Sequence, residues 1–219
     1  MYKIIAFAVS IALLSGCAQS TGYENSSFPV LAHPVTDTEK PNLCLIGDSR
    51  TAMFPVELFT KFDVYDYGVG GSTTEDNVEI LSALAESGIR FDAIIVSVGV
   101  NDYMGGNTIT ESVCCLNDCV ALAKTLSDRV FITTIPGCTP NSGKAWDKVV
   151  AISENAQLIN SHIPTIAKVN NVTVLPLSES LAWCYNYVWS IYDDGSGIHW
   201  NAEGYKVVYN LYMSYLVKE

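Results

Sequence analysis

An α/β fold, with a five-stranded parallel sheet between two layers of helices, is predicted by three features of the sequence. Short apolar runs alternate with amphipathic stretches from residue 42 onward, the runs are rich in β-branched residues, and turn residues follow most of them. A strand buried on both faces is a continuous apolar run, whereas a helix repeats its apolar residues every three or four positions. Their alternation predicts βαβ units, which build a parallel sheet.

Five segments have the character of buried strands. The clearest is Asp-Ala-Ile-Ile-Val-Ser-Val at residues 92–98, which is continuous and rich in Ile and Val. This pattern is typical of a parallel strand that is covered on both faces. The predicted strands are 42–46, 62–67, 92–98, 130–135 and 172–175.

Helical periodicity fills the intervals between and after these strands. Ser72-Thr73-Thr74-Glu75 has the pattern of a capping box, which marks the first turn of a helix. A long stretch further along is expected to break near Pro164, because proline removes a backbone donor. The predicted helices are one that begins at this capping box, then 110–126, 145–169 and 202–217. No internal repeat or further boundary is visible, so residues 42–219 are predicted to form one domain.

Residues 1–16 have the pattern of a secretion signal. Lys3 precedes an apolar run, residues 4–14, that is too short to span a bilayer as a helix. The run ends in Leu14-Ser15-Gly16-Cys17, which resembles the lipobox of bacterial lipoproteins. This resemblance implies that residues 1–16 are removed and that Cys17 is acylated. An ordinary secretory peptide that contains a cysteine is the alternative.

A flexible tether is predicted over residues 17–41. This segment is rich in Ser, Thr, Pro and Asn and has no apolar periodicity, so it cannot bury enough surface to offset the entropy of ordering it. Together with the lipobox it predicts a protein held in the bacterial cell envelope by its lipid. Many Gram-negative lipoproteins that stay in the inner membrane have Asp where this chain has Ala18, so the outer membrane is expected.

The charge balance argues against a nucleic-acid partner. The 219 residues carry 12 Lys and Arg against 23 Asp and Glu, giving a net charge of −11, and no basic run stands out. Phosphate backbones are bound mainly through Lys and Arg. A metal site is not expected either, because the chain has no Cys-x-x-Cys and its histidines lie far from its cysteines in sequence.

Disulfide bonds are allowed in an exported chain, which meets an oxidising compartment. Cys44 lies in an apolar strand and is expected to be a buried thiol. The other cysteines are expected on the side of the sheet where the strands end. At least one bridge is therefore predicted from Cys138 or Cys184 to a cluster of three cysteines. That cluster is Cys114, Cys115 and Cys119.

Residues with reactive or hydrogen-bonding groups follow the strands, at the edge where parallel sheets bind their ligands. A serine, several glycines, a carboxamide and a histidine are expected to converge there. The motifs that contain them are Gly47-Asp48-Ser49-Arg50, Gly68-Val69-Gly70-Gly71-Ser72, Gly99-Val100-Asn101-Asp102 and the segment 193–201, which includes His199.

In their order and spacing these four motifs resemble the sequence blocks of the SGNH, or GDSL-type, hydrolases over about residues 42–217. The resemblance implies that Ser49 is the nucleophile and His199 its base. It also implies an oxyanion hole made by the backbone N–H groups of Ser49 and Gly71 and the side chain of Asn101. The implied fold is the flavodoxin-like α/β/α sandwich of that family, and neither metal nor organic cofactor is expected. The chemistry agrees, because a serine hydroxyl attacks poorly until a base accepts its proton.

The acidic member of the site is where the chain departs from the family. The family has Asp three residues before the histidine, and this chain has Ser196 there. Without a gap, Ser196 replaces the acid and leaves a Ser49–His199 dyad or a weaker orienting partner. With a two-residue insertion, Asp194 becomes the acid. The second alignment is preferred because Asp194-Gly195 preserves the acid-glycine pair, and it predicts that Asp194→Asn lowers turnover far more than Ser196→Ala.

The sequence thus predicts a serine ester hydrolase that acts through an acyl-enzyme on an acyl ester of a glycan, a lipid or a small molecule outside the cytoplasm. Two alternatives are an O-acyltransferase that passes the acyl group to a surface glycan and a non-catalytic glycan-binding lipoprotein. Arg50 is interpreted either as a solvated residue of a helix start or as a contact to an anionic substrate group. Trp200, beside His199, is either a packing residue or part of a sugar platform.

Overall fold

A five-stranded parallel sheet forms the centre of the fold in this computed structural model. Its strands are β1 (Asn42–Gly47), β2 (Asp63–Gly68), β3 (Ala93–Ser97), β4 (Val130–Thr133) and β5 (Thr173–Leu175). They lie in the order β2-β1-β3-β4-β5, and all neighbours are parallel. Because β1 and β3 are central and almost completely buried, only continuous apolar runs fit there. All five predicted strands are present.

The structure describes residues 39–140, 146–184 and 186–217, with backbone alone at 183 and 184. The predicted signal segment, the lipidation site at Cys17 and most of the predicted tether lie outside these residues. Within the described ranges, no helix is both long enough and apolar enough to cross a membrane.

Eight α-helices lie in the described part of the chain. They are α1 (Ser49–Ala52), α2 (Thr74–Glu86), α3 (Asp102–Gly105), α4 (Ile109–Leu126), α5 (Trp146–Asn160), α6 (Ile163–Asn170), α7 (Leu177–Leu181) and α8 (Ala202–Leu216). The stretch predicted as 145–169 is interrupted after Asn160, and Pro164 lies in the first turn of α6, where its missing N–H costs nothing.

The two faces of the sheet are covered by different helices. Cys44 and Ile46 of β1 belong to the core beneath α2, α4, α5 and α6, whereas Leu43 and Leu45 belong to the core beneath α7 and α8. All four side chains are at most 1% exposed. Burying one Leu or Ile contributes roughly 1.5–3 kcal/mol. The predicted three-layer α/β/α sandwich is therefore confirmed.

Aromatic rings join α8 to the segment that follows α1. The ring of Phe54 stacks on Tyr212 with the centroids 5.9 Å apart, and it meets Tyr205 edge-on at 5.4 Å. Phe59 contacts Tyr209 at 5.2 Å. Such pairs contribute about 0.5–1.5 kcal/mol beyond the area they bury. They hold α8, and with it the loop that precedes α8, against the residues that follow the first strand.

The start of α2 lies one residue later than the sequence pattern predicts. The capping box is formed by Thr73 and Asp76, whose backbone and side-chain groups hydrogen-bond reciprocally, and not by Ser72 and Glu75. Ser72 is unavailable as the cap because its hydroxyl donates to the carbonyl of Gly47, 3.2 Å away at the end of β1. A contact with a neighbouring strand thus decides between two adjacent caps.

The short elements were not predicted. They are the helices α1, α3 and α7 and an antiparallel hairpin of β6 (Ala182–Cys184) and β7 (Tyr187–Val188). A helix of a single turn shows too few apolar repeats to reveal its period, and it forms only where surrounding contacts hold it.

The predicted disulfide from Cys138 to the cysteine cluster is wrong. No disulfide joins any two of the five cysteines whose side chains are described, and Cys44 is a fully buried thiol as expected. The cluster lies within α4 and not at the sheet edge, and the Cys119 thiol donates to the Thr74 carbonyl at the start of α2. A bridge from Cys184 lies outside the described side chains.

Candidate active site

Ser49 is the first residue of α1 and follows β1 after a tight turn. Only glycine fits at position 47, because a Cβ there would lie 1.8 Å from the Thr51 hydroxyl oxygen. Asp48 caps the short helix, and its carboxylate accepts from the Arg50 N–H at 2.8 Å. The turn leaves Ser49 partly exposed, while Asp48 and Arg50 on either side of it are buried.

His199 meets Ser49 across 150 residues of sequence. Its Nε2 lies 2.9 Å from the Ser49 hydroxyl oxygen, so the two side chains form a hydrogen bond. The loop that carries His199 is closed by a backbone bridge between Asp193 and Trp200. Asn201 secures the loop, since its amide donates to the carbonyl of Asp193 at 3.0 Å and its oxygen caps α8.

Both candidates for the acidic position lie beside His199. The Nδ1 atom of His199 is 3.2 Å from the Ser196 hydroxyl oxygen and 4.0 Å from Oδ2 of Asp194. Asp194 in turn accepts from the Ser196 N–H at 2.8 Å. Partial burial raises the pKa of Asp194, but hydrogen bonds from the Ser196 hydroxyl and N–H and the nearby His199 outweigh it and lower that pKa overall. The loop therefore brings together the residues that the two alignments treat as alternatives.

The three groups predicted to bind an oxyanion come from three loops. Ser49 N–H is at the first position of α1, where a helix offers no acceptor of its own. Gly71 has a φ of +81°, and a Cβ built on it would meet nothing within 4 Å, so its backbone faces open space. Asn101 is buried and its Nδ2 donates to the Ser72 carbonyl at 3.0 Å, which leaves the second N–H of the amide for a ligand.

A buried carboxylate supports these loops from behind. Asp102 accepts from both the backbone N–H and the hydroxyl of Thr74, each at 2.8 Å, and so joins α3 to the start of α2. Burial raises the pKa of Asp102, against the lowering effect of these hydrogen bonds. Since Asn101 precedes Asp102, the bonds to Thr74 fix the position of the Asn101 amide. Asp102 thus also caps α2, because it accepts from the N–H of the first residue of that helix.

Arg50 is buried, which the sequence did not indicate. It is 4% exposed, and its guanidinium donates to three carbonyls, those of Ile198 at 2.8 Å, Pro136 at 2.6 Å and Gly137 at 2.7 Å. Both predicted interpretations, a solvated residue and a contact to substrate, are therefore wrong.

Trp200 packs beneath Arg50 and does not face the solvent. It is 4% exposed, and the guanidinium carbon of Arg50 lies 5.0 Å from the centre of its ring. Of its two predicted roles, packing is thus the one the structure supports. The pair ties the loop of His199 to the turn of Ser49.

The comparisons with known proteins agree on one family. The model of the GDSL-like Lipase/Acylhydrolase family matches residues 45–207. No curated protein matches the chain.

Solved structures with a similar fold include three from bacteria. An inferred acylhydrolase of Bacteroides fragilis has 17% identity and a TM-score of 0.68, with 87% of this chain and 97% of that one covered. A GDSL-like lipase of Bacteroides thetaiotaomicron has 16% identity, a TM-score of 0.65 and coverages of 80% and 86%. The acetylxylan esterase Axe2 of Geobacillus stearothermophilus has 15% identity, a TM-score of 0.58 and coverages of 82% and 95%.

At these identities the structural likeness establishes the fold, and the family match carries the assignment. The match covers the turn of Ser49, the loops of Gly71 and Asn101, and the loop of His199. The chain therefore belongs to the GDSL-like lipase/acylhydrolase family, and it is an ester hydrolase.

Proposed function

We propose that the chain cleaves its ester through a covalent acyl-enzyme on Ser49, with His199 as the general base. The observation that carries this proposal is the 2.9 Å contact between His199 Nε2 and the Ser49 hydroxyl oxygen. A base at hydrogen-bond distance is the requirement for activating a serine.

The reaction then runs in two halves. As the Ser49 oxygen attacks the carbonyl carbon, its proton moves to Nε2 of His199, and the imidazolium gives that proton to the departing alcohol oxygen. Water then attacks the acyl carbon and loses a proton to the same nitrogen, and the imidazolium returns that proton to the Ser49 oxygen as the bond between Ser49 and the acyl group breaks and the acid leaves. In each half, negative charge on the carbonyl oxygen is met by the N–H groups of Ser49 and Gly71 and by the Asn101 amide.

The proposed site of action is the bacterial cell envelope, with the protein held by a lipid on Cys17, in the outer membrane. The support is the sequence Leu14-Ser15-Gly16-Cys17 and the composition of the tether that follows it. Mass spectrometry of the mature N-terminus tests this proposal. An acylated Cys17 is expected, and Cys17→Ala is expected to release the protein from membranes. A mature N-terminus at another residue would contradict it.

A fluorophosphonate probe tests the catalytic proposal directly, because it reacts only with activated serines. Wild-type protein is expected to be labelled, and Ser49→Ala is expected to lose the label. Ser214→Ala, which removes an exposed serine hydroxyl of α8, serves as the matched control and is expected to keep the label. Labelling that persists in Ser49→Ala would exclude Ser49 as the nucleophile.

Product analysis then separates hydrolysis from transfer. With an acylated glycan as substrate and an unacylated glycan as acceptor, a hydrolase releases free acid, whereas a transferase yields a newly acylated acceptor. Free acid is the expected product. Binding of the glycan without either product would favour the non-catalytic alternative.

A further inference from the structure

We propose that Ser72 is a positioning residue of the oxyanion hole, which holds the three donor groups of the hole in place relative to one another and is itself held by Asn77. This inference rests on the proposed function, because it concerns the same site. Both residues are buried, so they act through their neighbours and not on the substrate directly.

Ser72 is bonded to two of the loops that carry the donors and directly follows the third donor. Its carbonyl accepts from Nδ2 of Asn101 at 3.0 Å, and its hydroxyl donates to the carbonyl of Gly47 at 3.2 Å. Gly47 ends β1 two residues before Ser49, so this hydroxyl joins its own loop to the turn of the nucleophile. The third donor is the N–H of Gly71, the residue before Ser72.

The turn that contains Gly71 is closed by backbone hydrogen bonds. The Ser72 N–H donates to the carbonyl of Val69 at 3.1 Å, and the Val69 N–H donates to the carbonyl of Gly47 at 3.0 Å. The Gly47 carbonyl thus accepts from Val69 and from the Ser72 hydroxyl, which uses both of its lone pairs. A shift of Ser72 would therefore move the Gly71 N–H and the Asn101 amide together.

Asn77 determines where the Ser72 hydroxyl points. Its Nδ2 atom lies 3.0 Å from the Ser72 hydroxyl oxygen and 2.7 Å from the carbonyl oxygen of Thr73. A carbonyl can only accept, so the amide nitrogen faces Thr73 and has a second hydrogen for Ser72. The Ser72 hydroxyl accepts from Asn77, and its single hydrogen is left for the Gly47 carbonyl.

This hydroxyl is not needed to start the helix that follows it. The capping box of α2 is formed by Thr73 and Asp76, and Asp102 binds the N–H of Thr74. Removing the Ser72 hydroxyl is therefore expected to leave α2 in place. The loop would lose its side-chain connection to the end of β1, and the donors would shift away from the oxygen that they stabilise.

Ser72→Ala in the full chain tests this inference, with hydrolysis of a chromogenic ester as the first readout. We expect kcat to fall about tenfold to a hundredfold. Losing one donor outright typically costs a factor of about 10² to 10³, and here the donors are displaced and not removed. KM is expected to change less than about twofold, because the oxyanion forms only after the ester has bound.

The affinity for an alkylboronic acid is the second readout. A boronic acid adds to an activated serine as a tetrahedral anion that resembles the transition state, so its Kd is expected to rise by about the factor by which kcat falls. A loss of folded protein lowers kcat but leaves the Kd of the remaining folded molecules unchanged. Asn77→Ala is expected to change both quantities in the same direction by a smaller factor, and it carries the test if Ser72→Ala does not fold.

Ser127→Ala is the matched control. The Ser127 hydroxyl is also buried, and it donates to and accepts from the backbone of Arg129, at the opposite edge of the sheet. Wild-type kcat and Kd are expected for this variant. A wild-type kcat or boronate Kd in folded Ser72→Ala, or equal changes in Ser127→Ala, would overturn the inference. Failure of the proposed function would show instead in the wild type, as a Ser49 that fluorophosphonate does not label.

Discussion

At the scale of single residues, the buried guanidinium of Arg50 connects separate loops through hydrogen bonds. Its three hydrogen bonds reach two separate loops, one after β4 and one before α8, and all three acceptors are backbone carbonyls. No carboxylate lies within ion-pair distance of it among the described residues. Burial lowers the pKa of Arg50, and the charge of Asp48 is the main effect that opposes this lowering. Arg50 thus aligns the loop of His199 with the turn of Ser49.

Replacing Arg50 with methionine is expected to lower the free energy of unfolding by at least about 2 kcal/mol. The apolar side chain fills similar space but leaves three carbonyls without donors, and a buried polar group without a partner costs about 1–3 kcal/mol. Urea unfolding at neutral pH measures the change. Arg90→Met is the matched control, because the Arg90 side chain is 58% exposed and its loss is expected to cost less than about 0.5 kcal/mol. Equal losses in the two variants would contradict the structural role of Arg50.

The acidic position beside His199 illustrates why part of the site could not be predicted from the sequence. Ser49 and His199 follow from motifs whose order along the chain matches a family. The acid does not, because an alignment must choose between Ser196 and Asp194. In the folded loop the side chains of Ser196 and Asp194 both lie beside His199. Gly195 and Gly197, with φ values of +101° and +80°, supply the turns that allow this. Nothing in a linear comparison represents that curvature.

At the scale of elements, the long helices and central strands were predictable and the short ones were not. β3 and α4 have enough residues for their periods to show, and both lie within a residue or two of the predicted bounds. By contrast, α1 and α3 carry the site although each has only 4 residues. Capping by Asp48 and the packing of neighbouring loops stabilise these two helices. Neither contribution produces a periodic pattern of residues in the sequence.

The loop of Gly71 allows the effect of backbone geometry on catalysis to be separated from its effect on stability. Gly71→Ala is expected to cost about 1–2 kcal/mol of unfolding free energy, because an L-residue is strained at positive φ, and to lower kcat because its N–H shifts. Gly88→Ala is a matched control, since Gly88 also has positive φ with nothing within 4 Å and lies just past the end of α2.

Chemical denaturation and steady-state kinetics of the two alanine variants make the comparison. The two losses of stability are expected to be similar, whereas kcat is expected to fall only for Gly71→Ala. A fall in kcat of the same size in Gly88→Ala would show that general destabilisation, and not the Gly71 N–H, accounts for the effect.

At the scale of the whole molecule, burial at the edge of the sheet makes stability depend on pH. Burial raises the pKa of Asp48 to about 6, against the opposing effects of the Arg50 charge and of the hydrogen bond from its N–H. A carboxyl whose pKa is raised by folding favours the folded state while it is protonated. Its stabilising contribution is therefore complete below about pH 4, the pKa of an unfolded Asp, and is lost as the pH rises through about 6.

The variant Asp48→Asn isolates this effect, since asparagine keeps the capping oxygen and does not titrate. The unfolding free energy of wild type minus that of the variant is expected to fall by up to about 3 kcal/mol between pH 4 and pH 7. Urea titrations at pH 4, 5, 6 and 7 follow the difference, in which contributions from other groups cancel. A difference that stays constant or rises with pH would contradict the raised pKa of Asp48.

The separation of 150 residues between Ser49 and His199 affects when activity can arise during synthesis and folding. A chain is synthesised from its N-terminus, so Ser49 is complete long before its base exists. The loop of His199 is held by α8, whose rings pack on Phe54 and Phe59 only after the last helix has docked. A nascent chain is therefore expected to have no esterase activity, and the onset of activity is expected to mark the end of folding.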